Sequence, residues 1–276
     1  MDYSLREKVN FYNEFKKFYF KILKEFAFDP QKDIQAANYL SQILKSKSNW
    51  SLENVLFFFK NKLREKNKIL IYGCGPSLET TVNSIASKRG KEFFKAFLNI
   101  AADGASVFLR EIGVKIDAIF SDLDGITSKE FFYTDFIIVH AHGDNIKKLE
   151  LYKENIVLFD KVIGTVQVEP MEYLLNPGGF TDGDRILFFL RSLLNPKQRI
   201  YLIGFDFDDT IIGKYSKPNM IENQKGNPIK IKKLNCAKRL IEWLLKRMEN
   251  RMYFVNCKIL SKNFENISTE TFLNEI

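Results

Sequence analysis

The chain has 276 residues and a formal net charge of +8, with hydrophobic residues at 45% and charged residues at 28%. That length buries a full core and allows one large domain, or one domain with an extension. No stretch is long and uncharged enough to span a bilayer, the start M-D-Y-S-L-R-E-K lacks a secretion-signal pattern, and the basic residues form no compact block. Membrane insertion, export and nucleic-acid binding are therefore not expected, and a cytoplasmic location follows by default.

Residues 1 to 66 read as helices. Phe11, Phe15, Phe18 and Ile22 recur on one helical stripe. A second helix is predicted from about Asp33 to Lys45. A third is predicted from about Ser51 to Glu65, with Ser51 as a weak N-cap. None of these segments carries clustered catalytic residue types, so the expected role is a helical extension packed on a main domain of residues 67–276.

From Lys68 the pattern changes. The apolar runs K-I-L-I-Y, L-N-I-A-A, I-D-A-I-F-S, F-I-I-V-H-A and I-V-L-F-D each end in a polar turn, and so do a short V-I-G-T segment and R-I-Y-L-I-G-F-D-F-D, which closes at Asp208. Helical stretches lie between most of them. A helix near Lys232 to Asn250 and a last strand from Tyr253 to Asn256 follow. Continuous apolar strands alternating with helices predict an α/β fold, a mostly parallel sheet with helices on both faces. In such sheets ligands bind at the carboxyl ends of the strands, and that is where this chain places its polar clusters.

Gly73-Cys74-Gly75-Pro76-Ser77 follows the first strand. Its glycines suit a phosphate-binding turn with Ser77 capping the next helix, and they suit an ordinary tight turn equally well. It is neither a Walker A loop nor G-x-G-x-x-G. Asp103-Gly104 follows the second strand, where Asp103 reads as a helix cap or as an acceptor for a ribose or an amino-substituted base. The third strand ends in S-D-L-D-G. An extended backbone would point Asp122 and Asp124 to one side, and paired carboxylates there suit Mg2+ shared with phosphates. His140-Ala141-His142-Gly143-Asp144-Asn145 holds both histidines of the chain. It is similar to the H-x-H-x-D metal motif of metallo-β-lactamase-like hydrolases, but Asn145 stands where a further His is needed, so no nitrogen-rich zinc site can be assembled. The expectation is that Asp144 joins Asp122 and Asp124 around Mg2+, with His142 orienting a phosphate or substrate.

Thr165 and Gln167 follow the next strand, and Gln167 suits reading a ring edge or, equally, a simple loop role. In G-G-F-T-D-G-D-R, Thr181 and one of Asp182 and Asp184 fit helix capping. Arg185 is a cation at the positive end of a helix, and that conflict favours phosphate or carboxylate binding. Asp206 suits accepting from a heterocycle or a simple loop role. The polar segment 211–233 carries Lys214, Lys217, Lys225, Lys230, Lys232 and Lys233, a basic loop able to close over a triphosphate or simply to stay solvated. Cys74, Cys236 and Cys257 form no C-x-x-C pair and read as reduced thiols.

In order, G-C-G-P-S, A-D-G-A, S-D-L-D-G, H-A-H-G-D-N, G-T-V-Q, G-F-T-D-G-D-R, G-F-D-F and G-K-Y-S resemble the archaeal 6-hydroxymethyl-7,8-dihydropterin pyrophosphokinase, or MptE-like, family. That group is similar in its catalytic domain to thiamin pyrophosphokinases. The resemblance covers roughly the last three-quarters of the chain. It implies ATP-dependent transfer of diphosphate to the hydroxymethyl oxygen of a reduced pterin, with release of AMP and with Mg2+ held by Asp122, Asp124 and Asp144. It assigns nucleotide or pterin binding to Asp103, Gln167 and the 178–185 loop. Val166 departs from the family's second Thr, and no all-β tail is present, which argues against thiamin. A homodimer is admitted, not required. A nucleotide-sugar-dependent glycosyltransferase-like enzyme and a non-catalytic nucleotide-binding module are the alternatives.

Overall fold

A computed structural model describes residues 4–207, 210–259 and 261–276, so Asp208 lies outside the described residues. The described residues form eleven strands: β1 (Lys68–Tyr72), β2 (Leu98–Ala102), β3 (Ile116–Ser121), β4 (Thr134–Ala141), β5 (Val162–Val166), β6 (Leu174–Leu175), β7 (Arg199–Ile203), β8 (Ile211–Ile212), β9 (Gln224–Lys225), β10 (Met252–Val255) and β11 (Glu265–Ile267). The α-helices are α1 (Leu5–Val9), α2 (Tyr12–Phe26), α3 (Pro30–Lys45), α4 (Leu52–Arg64), α5 (Leu78–Arg89), α6 (Ala105–Glu111), α7 (Ile146–Leu151), α8 (Lys153–Leu158), α9 (Asp182–Leu190), α10 (Pro228–Leu245) and α11 (Thr269–Asn274).

Nine strands form one sheet in the order β11-β10-β7-β1-β2-β3-β4-β5-β6. Every pairing within it is parallel. β8 and β9 make a separate antiparallel pair. β2 and β3 are buried along their whole length, which explains runs without polar alternation. Register fixes the two faces. Tyr201, Leu70 and Asn99 are paired neighbours, and Tyr201 meets Phe272 of α11. Ile100, one residue on from Asn99, pairs with Ala118, and Phe120 shares that opposite face, against Phe189 of α9. Helices therefore cover both sides, as the sequence predicts.

The order runs outward from β1 to β6 and then returns to place β7 on the other side of β1. The reversal point lies between β1 and β7, where neighbouring connections diverge and leave a crevice.

The N-terminal helices share the core of the sheet. Phe15 of α2 meets Phe188 edge-on at 5.7 Å, and Phe59 of α4 meets Phe136 at 5.1 Å and Phe189 at 5.7 Å. Phe15 and Phe59 are fully buried, and each such ring contributes about 2–3 kcal/mol by leaving water. At the opposite rim, Lys62 of α4 bridges Asp117 and Asp135, both at 3.1 Å.

Several elements differ from expectation. I-V-L-F-D at 156–160 is not a strand, because its first residues close α8 through helical bonds, Ile156 N–H to Tyr152 O and Phe159 N–H to Asn155 O. The short run that follows, Val162–Val166, is the strand. β11 and α11 were not anticipated, since both are short and polar. Finally, α10 begins at Pro228, four residues before the expected start. Asn227 caps it by accepting from Lys230 N–H at 2.8 Å, and Pro228 supplies the fixed φ of a first helical residue.

Candidate active site

Asp103 ends β2 in a left-handed conformation with φ 44°. Its Oδ1 accepts from Ser121 Oγ at 2.6 Å and from Gly125 N–H at 3.0 Å. A Cβ on Gly125 would lie 2.1 Å from Asp103 Oδ2, so only glycine admits this close approach. Asp122, at the end of β3, is held from the β4 turn. His142 Nε2 donates to Asp122 Oδ2 at 3.2 Å, because His142 Nδ1 accepts from Asp144 N–H. Asn145 Nδ2 donates both to Asp122 O at 2.8 Å and to His140 O at 2.6 Å. Asp182 opens α9. Among the described residues its carboxylate accepts no hydrogen bond.

These three carboxylates converge, with Asp103, Asp122 and Asp182 each offering an oxygen within 4.8 Å of the others. Burial and the neighbouring Asp122 charge push Asp103 up to about 7. Burial, Asp122 and Asp103 push Asp182 well above the usual carboxylate range. Burial acts the same way on Asp122, but the hydrogen bonds from His142 and from Asp124 N–H, together with the charge of Lys230, hold it below that range. An all-oxygen set of mutually repelling carboxylates fits a hard divalent cation such as Mg2+.

The grouping differs from the D-x-D expectation. Leu123 has φ 70°, so the chain is not extended between the two acids and they do not share a side. Instead Asp124 N–H donates to Asp122 Oδ1 at 3.0 Å, and the Asp124 side chain, 58% exposed, faces Lys148 at 3.6 Å. Asp144 is exposed and borders a pocket, but it is not in the three-carboxylate cluster.

Several other residues are committed to holding the frame. The turn 73–77 is not an open cradle of N–H groups. Gly73 N–H donates to Ile203 O, Gly75 N–H to Gly204 O at 2.7 Å, and Ser77 N–H to Asp206 Oδ2 at 2.8 Å. Pro76 has no N–H to offer. Asp206 also accepts from Ser77 Oγ and, at 2.5 Å, from Lys258 N–H, so it pins this turn between neighbouring loops. Gly104 packs under Tyr215, whose carbonyl a Cβ would meet at 2.1 Å. Asp184 accepts from Phe180 N–H, Thr181 N–H and Thr181 Oγ1, making it the third-residue partner of the Thr181 N-cap of α9. Arg185 does not line the clefts. It is 1% exposed and donates to the carbonyls of Gly178 at 3.3 Å and Gly179 at 2.8 Å, which resolves the misplaced cation. Thr165 is buried in a chain in which Gln167 meets His140 Nε2 and His140 Nδ1 meets Thr165 Oγ1, both at 3.2 Å. Lys214 pairs with Glu79 at 3.5 Å, outside both clefts.

Two pockets meet at the cluster. The first sits at the β1–β7 reversal point and is mostly apolar, with Gly73, Gly75, Phe205, Ile212 and Leu234 alongside Asp103. The second is polar, bordered by Asp122, His142, Gly143, Gln167 and, from α3 and the connection before it, Phe28, Lys32 and Asp33. Thr181, Asp182, Lys230 and Lys233 border both.

A family model described as "6-hydroxymethylpterin diphosphokinase MptE-like" matches residues 40–211. The chain belongs to this MptE-like family. It is 39% identical over 237 residues to the 6-hydroxymethyl-7,8-dihydropterin pyrophosphokinase of Pyrococcus furiosus, covering 84% of this chain and 94% of that protein. It is 35% identical over 245 residues to the protein of the same name from Methanocaldococcus jannaschii, covering 86% and 96%. The counterpart from Methanothermobacter thermautotrophicus is 34% identical over 83% of this chain and 92% of its own length. Among solved structures, the MAf glycosyltransferase from Magnetospirillum magneticum AMB-1 matches with a TM-score of 0.45 and 15% identity, over 74% of this chain and 34% of that one.

In this MptE-like chain the strand-end motifs were readable one by one, but not their grouping. The N-terminal contribution to the second pocket gave no sequence signal, since Lys32 and Asp33 look like first-turn residues of an ordinary helix. Lys230 and Lys233 were visible only as members of a basic segment. The N-P pair at Asn227-Pro228 would have placed them on the first turns of a helix.

Proposed function

We propose that the protein transfers the β,γ-diphosphate of ATP to the hydroxymethyl oxygen of 6-hydroxymethyl-7,8-dihydropterin, releasing AMP, with Mg2+ required. One observation supports this most: two pockets of different character share a border made of a carboxylate cluster and two lysines. A transfer between two substrates needs such a junction. The apolar pocket suits a flat ring, and the polar one suits the second substrate's heterocycle, with phosphates crossing the border beside Lys230 and Lys233. The three curated relatives carry the name of this activity.

Asp103 and Asp122 would hold the ion, each already oriented by fixed donors. Bound there, Mg2+ would offset phosphate charge at the transferring group. Asp182 stands beside these two with no hydrogen-bond donor on its carboxylate, so once a cation offsets the charge of Asp103 and Asp122 it would be the group placed to accept the alcohol proton. The alcohol oxygen then bonds to the β-phosphorus, and the bond from that phosphorus to the α,β-bridging oxygen breaks, so AMP leaves with the bridging oxygen. Lys230 and Lys233 stabilise the charge that develops.

The test is AMP release from ATP with the reduced pterin alcohol and Mg2+, run beside a nucleotide-sugar panel. Stoichiometric AMP and pterin diphosphate support the reading. Saturable ATP binding without AMP, or turnover of a nucleotide sugar instead, overturns it.

A further inference from the structure

Asp33 lies on α3, seven residues before the segment matched by the family model begins. An acid in a first helical turn ordinarily answers its own helix's free N–H groups. Asp33 does not. It is 7% exposed, and both oxygens are used elsewhere. Oδ2 accepts from Tyr19 OH at 2.8 Å, and Oδ1 accepts from Gly143 N–H at 2.7 Å.

Gly143 sits at the tip of the β4 turn, between His142, which donates to Asp122, and Asp144. The approach is close, since a Cβ on Gly143 would lie 2.5 Å from Lys32 Cβ. Asn145 ties the base of the same turn to Asp122 O and to His142 N–H. The turn is therefore held at its base by Asn145 and at its tip by Asp33, and the carboxylate is fixed in turn by Tyr19 of α2. The N-terminal helices thus reach the ion-holding cluster through one main-chain hydrogen bond.

We infer that Asp33 is a positioning residue for the diphosphate transfer: through Gly143 N–H it fixes the turn that presents His142 to Asp122. This rests on the reading given under Proposed function. The discriminating pair is Asp33→Ala and Asp33→Asn. Asparagine keeps an oxygen for Gly143 N–H and turns its NH2 toward the Tyr19 oxygen, so it preserves the geometry without the charge.

Two readouts on the full chain decide the matter. The first is protection of the Gly143 amide by hydrogen exchange, followed by NMR, which needs no turnover. It should be lost in Asp33→Ala and kept in Asp33→Asn. The second is steady-state AMP release. Partners that orient a metal ligand are worth about 10- to 100-fold, so Asp33→Ala should lower kcat by about tenfold or more and raise the Mg2+ concentration needed for half-maximal rate. KM for ATP should stay within about twofold, and Asp33→Asn should recover most of the rate. A merely structural role would reduce the folded fraction and leave the Mg2+ dependence of the folded enzyme unchanged, and that outcome overturns the inference. So does a protected Gly143 amide in Asp33→Ala, or an Asp33→Asn variant as impaired as Asp33→Ala. Wild-type protein that forms no AMP would overturn the pyrophosphokinase reading instead, while the amide measurement would still decide what Asp33 holds.

Discussion

Asp122 and Asp182 lie in one cluster but are expected to fail differently. Asp122→Asn should cost about a hundredfold in turnover and raise the Mg2+ concentration needed for half-maximal rate, with the cooperative melt retained. Asp182→Asn should keep the Mg2+ requirement and lose about 10^2- to 10^4-fold in kcat, the usual worth of a proton acceptor. Rate against Mg2+ concentration in the two variants separates an ion ligand from a base. A third test concerns His140. Burial, then the charges of Arg185 and His142, hold its ring well below the ordinary 6.5. The unfolded imidazole takes up a proton near that value and the folded one does not, so His140 favours unfolding as pH falls below 6.5. Stability should drop on that side by at most about 1.4 kcal/mol per pH unit, and His140→Gln should flatten the slope in urea titrations at pH 5.5 and 7.5. The residue types of the site were legible, because carboxylates after apolar runs stand out. Their partnership was not. A positive φ at Leu123 and Asp103 is invisible in a residue string, and it decides that Asp122 meets Asp103 and Asp182 rather than Asp124.

Among elements, the start of α9 depends on the Gly178-Gly179 turn. Both glycines have φ 88°, and a Cβ on Gly179 would lie 2.6 Å from Arg185 Cα. Gly179→Ala should therefore destabilise the fold by about 2 kcal/mol or more, from the left-handed backbone together with the clash. Because Asp182 rides on the same turn, turnover should fall further than denaturation midpoints alone would explain. Helix and strand identity along the chain followed from apolar periodicity in α2, α3 and α4 and from the buried runs of β1, β2, β3 and β4. The exception at 156–160 is instructive. A five-residue apolar run fits either a buried strand or the inner face of a short helix, and the helical bond that Ile156 N–H donates to Tyr152 O decides for the helix.

For the molecule as a whole, the shared core binds the first helices to the sheet. Phe15, Tyr19, Ile22, Leu40, Leu56 and Phe59 are buried together with β3, β4 and α9 residues. A chain cut to residues 67–276 should expose that face and fail to give a soluble, cooperatively melting protein, as differential scanning calorimetry would show. Sequence reading separated residues 1–66 because they carry no clustered catalytic types. A wall made of one phenyl ring, one lysine and one buried carboxylate leaves no such trace.

The occupied N–H groups of the 73–77 turn have a consequence for how this protein can grip nucleotide. The main-chain donors of Gly73, Gly75 and Ser77 are already spent on Ile203, Gly204 and Asp206, which shifts the recognition of phosphate toward long ammonium side chains such as those of Lys230 and Lys233. Attraction of that kind is screened by electrolyte far more than a desolvated glycine nest would be. The affinity for ATP is then set by the ionic composition around the protein as much as by the shape of the cleft.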